Sequence, residues 1–226
     1  MRDEAARRER LSLWLPPPGY DGPLDSKDYM NLGFTVYRTD YSPSTDSLWD
    51  QLLFDLKLKL KESIEDCFEE NREIETELEA VEKMLQLVHL DTRSDKELLD
   101  GLNDTELRKV FIGGIGGIPL NTNKSSHRVS LFADATVFAK LHNNKTPWIR
   151  AVQLDYEPAR HEIWRDPRFI NERQYFWGWL KLSLMGLFDF WSMLQVRDLS
   201  QLAPAMVTEE SAAILDRGNE VNDTVN

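Results

Sequence analysis

Gly33-Phe-Thr-Val-Tyr-Arg-Thr-Asp-Tyr41, followed at once by Ser42-Pro-Ser-Thr-Asp-Ser-Leu-Trp49, decides the fold class of this chain. The first half carries Phe, Thr, Val and Tyr, which suit a pleated, half-buried surface, so a strand is predicted over Leu32 to Thr39. The second half offers Thr45, Asp46 and Ser47 as N-cap oxygens just before an apolar periodicity begins. A strand feeding a helix start brings Tyr37, Arg38, Asp40 and Tyr41 to the junction. Arg38 and Asp40 alternate to one face of the strand and Tyr37 to the other.

The helix that follows is read from Leu52, Leu56, Leu60, Ile64 and Phe68, one residue every four. Phe54, Leu56, Leu58 and Leu60 also alternate with charged residues, which is a strand pattern. The cap signals, the continuing four-residue spacing and the good helix formers Leu and Lys favour a helix. Ile74, Leu78, Val81, Leu85 and Val88 extend the helical pattern with a coiled-coil-like seam. One unbroken helix from Asp46 to His89 would be about 66 Å long, too long for a compact domain of this size, so a bend is expected near Glu70 or Asn71.

Further strands are expected at Arg128 to Phe132, Trp148 to Tyr156 and Phe176 to Leu182. Short helices are expected from Asp104 or Thr105 through Phe111, and over Asp134 to Leu141. The aromatic stretch Leu184 to Val196 is the last helix. These elements define an α+β domain: a small sheet of about four strands packed against helices, with long helices between strands one and two. A ferredoxin-like arrangement is one way to connect them. Residues 1–31, broken by Pro16-Pro-Pro-Gly19, read as an N-terminal arm or linker. Residues 32–200 form the domain, with an acidic helical segment over 62–90. Residues 201–226 read as a flexible acidic tail with a weak helical pattern at Ala212, Ala213 and Ile214.

Composition narrows the function classes. The 226 residues are 41% apolar and include seven Trp and ten Phe, enough to bury a real core. The net charge of −12 repels phosphate backbones, so neither nucleic acid nor an anionic membrane is an expected partner. Ten acidic residues against one base, Arg72, lie between Glu62 and Glu82. That run reads first as a solvated helix face and second as a surface for a basic partner. A single cysteine, Cys67, allows no internal disulfide. The charged start, Met1 to Leu15, has no apolar signal region, and no apolar run reaches membrane-spanning length. A cytoplasmic protein is expected, with the nucleus as the other compartment, and not a secreted one.

Catalytic motifs are missing. Gly113 to Gly117 is followed by Lys124-Ser125, but Asn123 stands where a phosphate loop needs glycine. His89, His127, His142 and His161 lack metal-ligand spacing, so no metal and no cofactor is expected. No Gly-x-Ser-x-Gly elbow exists. Asp155 and Glu157, at the predicted end of the third strand, are a carboxylate pair or a plain strand exit before Pro158. Trp164-Arg-Asp-Pro-Arg-Phe169 mixes aromatics with Arg165 and Arg168, a composition that suits partner contacts.

Several patches taken in order resemble a known family. They are Gly33 to Tyr41 with Thr45-Asp46-x-x-Trp49, Asp91-Thr-Arg93, Leu99-Asp-Gly-Leu-Asn-Asp-Thr-Glu-Leu-Arg108, Arg128-Val-Ser-Leu-Phe-Ala-Asp134, Val152-Gln-Leu-Asp-Tyr-Glu-Pro158 and Gly178-Trp-Leu-Lys-Leu-Ser-Leu184. Together they resemble a large family of uncharacterised small intracellular proteins of filamentous fungi, in patches from Gly33 to Met193. The chain departs from that family at Gly113 to Gly117 and in the acidic insertion around Glu69 to Val88. The resemblance implies a fungal source and a single intracellular domain. It assigns no activity, so no catalytic residue is carried over.

Two functions are left. The first is a non-enzymatic interaction or accessory protein, with the acidic helix and Trp164, Arg165 and Arg168 as partner contacts. The second is a small-molecule-binding protein or enzyme of fungal specialised metabolism, with a pocket at Tyr37, Arg38, Asp155 and Trp179.

Overall fold

The computed structural model describes residues 32–67, 75–117, 128–141, 147–157, 176–195, 197–203, 214–216 and 219–221. The opening stretch holds a strand and then a helix, with the strand shorter than the expected Leu32 to Thr39. Thr35–Arg38 form strand β1, and helix α1 runs from Asp46–Cys67. Leu52, Leu56, Leu60 and Ile64 are completely buried, while Phe54 and Leu58 stand exposed. A strand would have put Phe54, Leu56, Leu58 and Leu60 on one side, so the four-residue period wins. Each buried Leu contributes roughly 1.5–3 kcal/mol of transfer free energy.

Helix α2 spans Glu75–Leu87, and the predicted bend at Glu70 or Asn71 falls outside the described residues. Helices α1 and α2 pack on each other. A 22-residue helix is about 33 Å long, against about 13 Å for the four residues of β1. The end of α2 returns to the start of β1. Leu32 N–H donates to the Leu87 carbonyl at 2.9 Å, and His89 N–H donates to the Leu32 carbonyl at 2.9 Å. Strand β2, Asp91–Arg93, then pairs parallel to β1. Gly33 permits this approach, because a Cβ there would stand 1.8 Å from the His89 carbonyl oxygen.

The chain crosses back through α3 (Lys96–Leu99) and α4 (Asp104–Ile112) to β3, Val129–Ala133. Asn103, one residue ahead of the expected Asp104 or Thr105, caps α4 in a reciprocal capping box with Glu106. Helix α5 (Ala135–Leu141) leads to β4, Trp148–Gln153, and β5 is Trp179–Ser183. A 3-10 turn at Leu184–Gly186 opens α6, Leu187–Met193, and α7 is Leu199–Leu202. Strands β6, Ile214–Asp216, and β7, Asn219–Val221, complete the sheet.

The class is α+β, with one mixed sheet in the order β2-β1-β3-β4-β5-β6-β7. The expected count of about four strands is corrected to seven among the described residues. The three missed strands have only three residues each, too few to display a period. The ferredoxin-like option fails because β2, β1 and β3 are parallel neighbours. The stretch read as a flexible tail supplies β6, whose Ile214 and Leu215 are buried against the core. Ile214 there continues a strand rather than the weak helical pattern. The third strand ends at Gln153, so Asp155 lies in a turn.

Helices cover both faces. Val36, Leu131, Ile149, Ala151, Leu180 and Leu182 join α1, α2, α5 and α6 in the larger core. On the other face Tyr37, Phe132, Val152 and Trp179 pack with Leu99 of α3 and with Leu107 and Val110 of α4. Arg108 of α4 donates to the carbonyls of Gln153 at 3.0 Å and Gly178 at 3.3 Å, which ties the helix down to β4 and the entry of β5.

Candidate functional site

In an open sheet containing parallel strands, the crevice for a ligand lies beyond the carboxyl ends of the strands where the connection changes direction. Here that point lies between β1 and β3, since the chain leaves β1 toward β2 on one side and returns to β3 on the other. The residues around it are Arg38 to Tyr41, Arg93 to Asp95, and Asp134.

Arg38 ends β1 on the α1 face and is only 4% exposed. Its Nε donates to the Asp40 carbonyl at 2.8 Å, and its Nη2 donates to Thr45 Oγ1 at 3.0 Å and to the Asp46 carboxylate. Its guanidinium lies 4.5 Å over the Tyr41 ring. A charge taken out of water needs this many partners. The strand-to-helix junction is therefore held by one arginine.

The opposite face carries a row across five strands. The pairing registers align Arg93, Tyr37, Phe132, Arg150 and Lys181 as lateral neighbours on β2, β1, β3, β4 and β5. Three cations and two aromatic rings thus share one line on the face against which α3 and α4 pack. Arg93 is paired with Asp91 at 2.9 Å, and its Nη1 donates to the carbonyls of Gly116 and Gly117. Arg150 donates to Asp104 at 2.7 Å and Asp134 at 2.9 Å and stacks 4.4 Å over Trp179. Asp134 also accepts from Val137 N–H at 2.9 Å, so it starts α5 while holding Arg150. Lys181 sits 5.2 Å over Trp148.

Tyr37 lies within this row, edge-on to Phe132 with ring centroids 5.8 Å apart. Its hydroxyl and that of Ser130 are buried without a hydrogen-bond partner among the described residues. Burial pushes the Tyr37 phenol up from its ordinary pKa; Arg93 opposes the shift and Asp91 adds to it.

The four residues predicted to line a pocket do not converge. Tyr37 and Trp179 share a face, two strands intervening between them. Arg38 is on the opposite face, occupied at the α1 junction. Asp155 follows β4, whose direction is reversed, so it lies toward the other end of the sheet. There it pairs with Arg128 at 3.1 Å and accepts from Gln153 Nε2 at 3.1 Å. Trp164, Arg165 and Arg168 lie outside the described residues, as does much of the acidic run.

Sequence reasoning missed Arg93, Arg150, Asp104 and Asp134. The available signal was Arg150, a lone cation within Trp-Ile-Arg-Ala-Val-Gln, which demands buried counter-charges. The glycine turn is held by bonds within the fold, while Lys124 and Ser125 lie outside the described residues. Gly113 N–H closes α4 by donating to the Lys109 carbonyl, and the turn then presents carbonyl oxygens to Arg93. Among the described residues no group of three or more His, Cys, Asp or Glu is arranged to hold a metal ion. No helix among them is long and apolar enough to cross a membrane.

No protein-family model, curated protein or solved structure matches the chain.

Proposed function

We propose that this chain is a non-enzymatic interaction or accessory protein. One observation carries the reading: the arginines around the switch point are engaged within the fold. Arg38 is held by Thr45 and Asp46, Arg93 by Asp91 and the glycine turn, and Arg150 by Asp104 and Asp134. Groups committed to holding helices on a sheet are poorly placed to bind and turn over a substrate. The fold instead presents apolar side chains outward. Ile112, the last residue of α4, is 74% exposed, and Ile115, in the glycine turn that Arg93 anchors, is 49% exposed. Anchored turns with protruding apolar residues suit protein recognition, because little conformational entropy is lost on binding.

The test is quantitative affinity capture with the full chain against an Ile112→Ser/Ile115→Ser variant. A protein retained by the first and lost with the second supports the reading. Equal capture by both, or no retained protein at all, overturns it.

The small-molecule reading has one observation in its favour, the unpartnered Tyr37 and Ser130 hydroxyls on the α4-covered face. Its test is a thermal-shift panel of polar aromatic compounds on the full chain and on Tyr37→Phe. A rise in melting temperature that the substitution removes would establish it over the first reading.

A further inference from the structure

The outward face of α1 has an order of its own. At 100° per residue, Ser47, Asp50, Phe54, Leu58, Lys61 and Glu65 fall within about 40° of one line along the helix, opposite the buried Leu52, Leu56 and Leu60. All six are exposed, Phe54 at 61% and Leu58 at 38%. The line therefore reads acid, two apolar residues, base, acid. Asp50 and Lys61 make no ion pair with any described residue. Lys59, by contrast, is already paired with Glu62 at 2.7 Å.

We propose that this face is a self-association surface, in which α1 of one copy packs antiparallel on α1 of a second copy about a two-fold axis between Phe54 and Leu58. Under that axis Phe54 meets the region of Leu58 on the other copy, and Leu58 meets that of Phe54. Lys61 of each copy comes opposite Asp50 of the other. Glu65 approaches the N-terminal end of the opposing helix, where the helix dipole favours an anion. A two-fold interface requires one patch to complement itself, and an acid-apolar-apolar-base line does so only when reversed. In parallel, Asp50 would face Asp50 and Lys61 would face Lys61, and the arrangement would repel. The charge order thus selects both the occupant and its direction.

Two opposing terms set the strength. Each copy carries −12, but charges farther apart than about 8 Å are screened at physiological salt, whereas the Asp50–Lys61 contacts are close. A pair of helices along a few turns buries less than the roughly 1,200 Å² of a stable interface. The dimer is therefore weak and reversible, populated at high protein concentration or when a larger assembly brings copies together. The inference stands on α1 alone and does not use the functional reading above.

Sedimentation equilibrium of the full chain over a concentration series tests it, with circular dichroism to verify each variant's fold. Wild type is expected to show a reversible monomer–dimer equilibrium. Phe54→Asp is expected to weaken association at least tenfold. Asp50→Lys and Lys61→Asp should each weaken it several-fold, and the double exchange should restore the wild-type constant. A wild type that stays monomeric throughout overturns the proposal. So does a folded Phe54→Asp that dimerises normally, or a double exchange no better than its single variants.

Discussion

Arg150, in the middle of β4, reaches Asp104 on the first turn of α4 at 2.7 Å, so one side chain fastens the second helical layer to the sheet. The same guanidinium holds Asp134 at the start of α5 and covers the Trp179 ring. Three elements meet on one charge.

Replacing Arg150 by Met would leave two part-buried carboxylates facing each other without their cation. A loss of about 2–4 kcal/mol is expected in urea denaturation. Asp104→Asn should cost less, about 1 kcal/mol, since Asp134 still balances the arginine. A double-mutant cycle on the pair should show favourable coupling. Additive losses would mean that α4 is held by its apolar contacts alone.

At the β1–α1 junction the two members of an ion pair should differ in importance. Arg38 is buried and has three acceptors, whereas the Asp46 side chain is 78% exposed. Arg38→Met is expected to lose about 2–3 kcal/mol, and Asp46→Asn no more than about 0.5 kcal/mol. The comparison is made by thermal unfolding at two salt concentrations, with the Asp46 effect shrinking as salt rises.

Gly33→Ala tests the return of α2 to the sheet. The new methyl would collide with the His89 backbone, which no rotamer change relieves. A loss above about 3 kcal/mol is expected. Hydrogen exchange should rise first at Leu32, His89 and Asp91, whose amides make the crossing hydrogen bonds. Unchanged protection there would contradict the described approach.

The Tyr37 phenol supplies a pH dependence with a definite sign. Its pKa is raised in the folded chain, so the folded state keeps a proton that the unfolded chain releases near pH 10. The contribution is fully present below that pH and is lost as pH rises toward the folded value. Wild type should therefore lose stability above pH 10 more steeply than Tyr37→Phe. At neutral pH the substitution should be close to neutral, because the hydroxyl has no partner to lose. Equal slopes in alkaline denaturation would place the hydroxyl in water.

Much of this architecture was legible because long elements repeat. Leu52, Leu56, Leu60 and Ile64 repeat every four residues, and Thr45-Asp46 ahead of them tips the reading to a helix and marks where it begins. The strand around Val36 was found through its β-branched and aromatic residues. The short strands at Asp91, Ile214 and Asn219 were not, because they owe their conformation to partners on β1, β5 and β6 rather than to local preference. The site residues failed for a related reason. Arg38 and Tyr37 are adjacent in sequence, and the pleat sends them to opposite faces. Asp104, Asp134 and Arg150 are far apart in sequence and meet only through sheet order.

Strand β6 lies parallel on β5, and β5 lies on β4, which in turn completes the pairing with β3. A chain leaves the ribosome from its N-terminus, so β1 through β5 exist before β6 does. During that interval β5, which carries Leu180 and Leu182, is an open edge. Open apolar edges recruit other strands. The segment read as a flexible tail is thus the piece whose late arrival ends the interval of greatest exposure to misassembly.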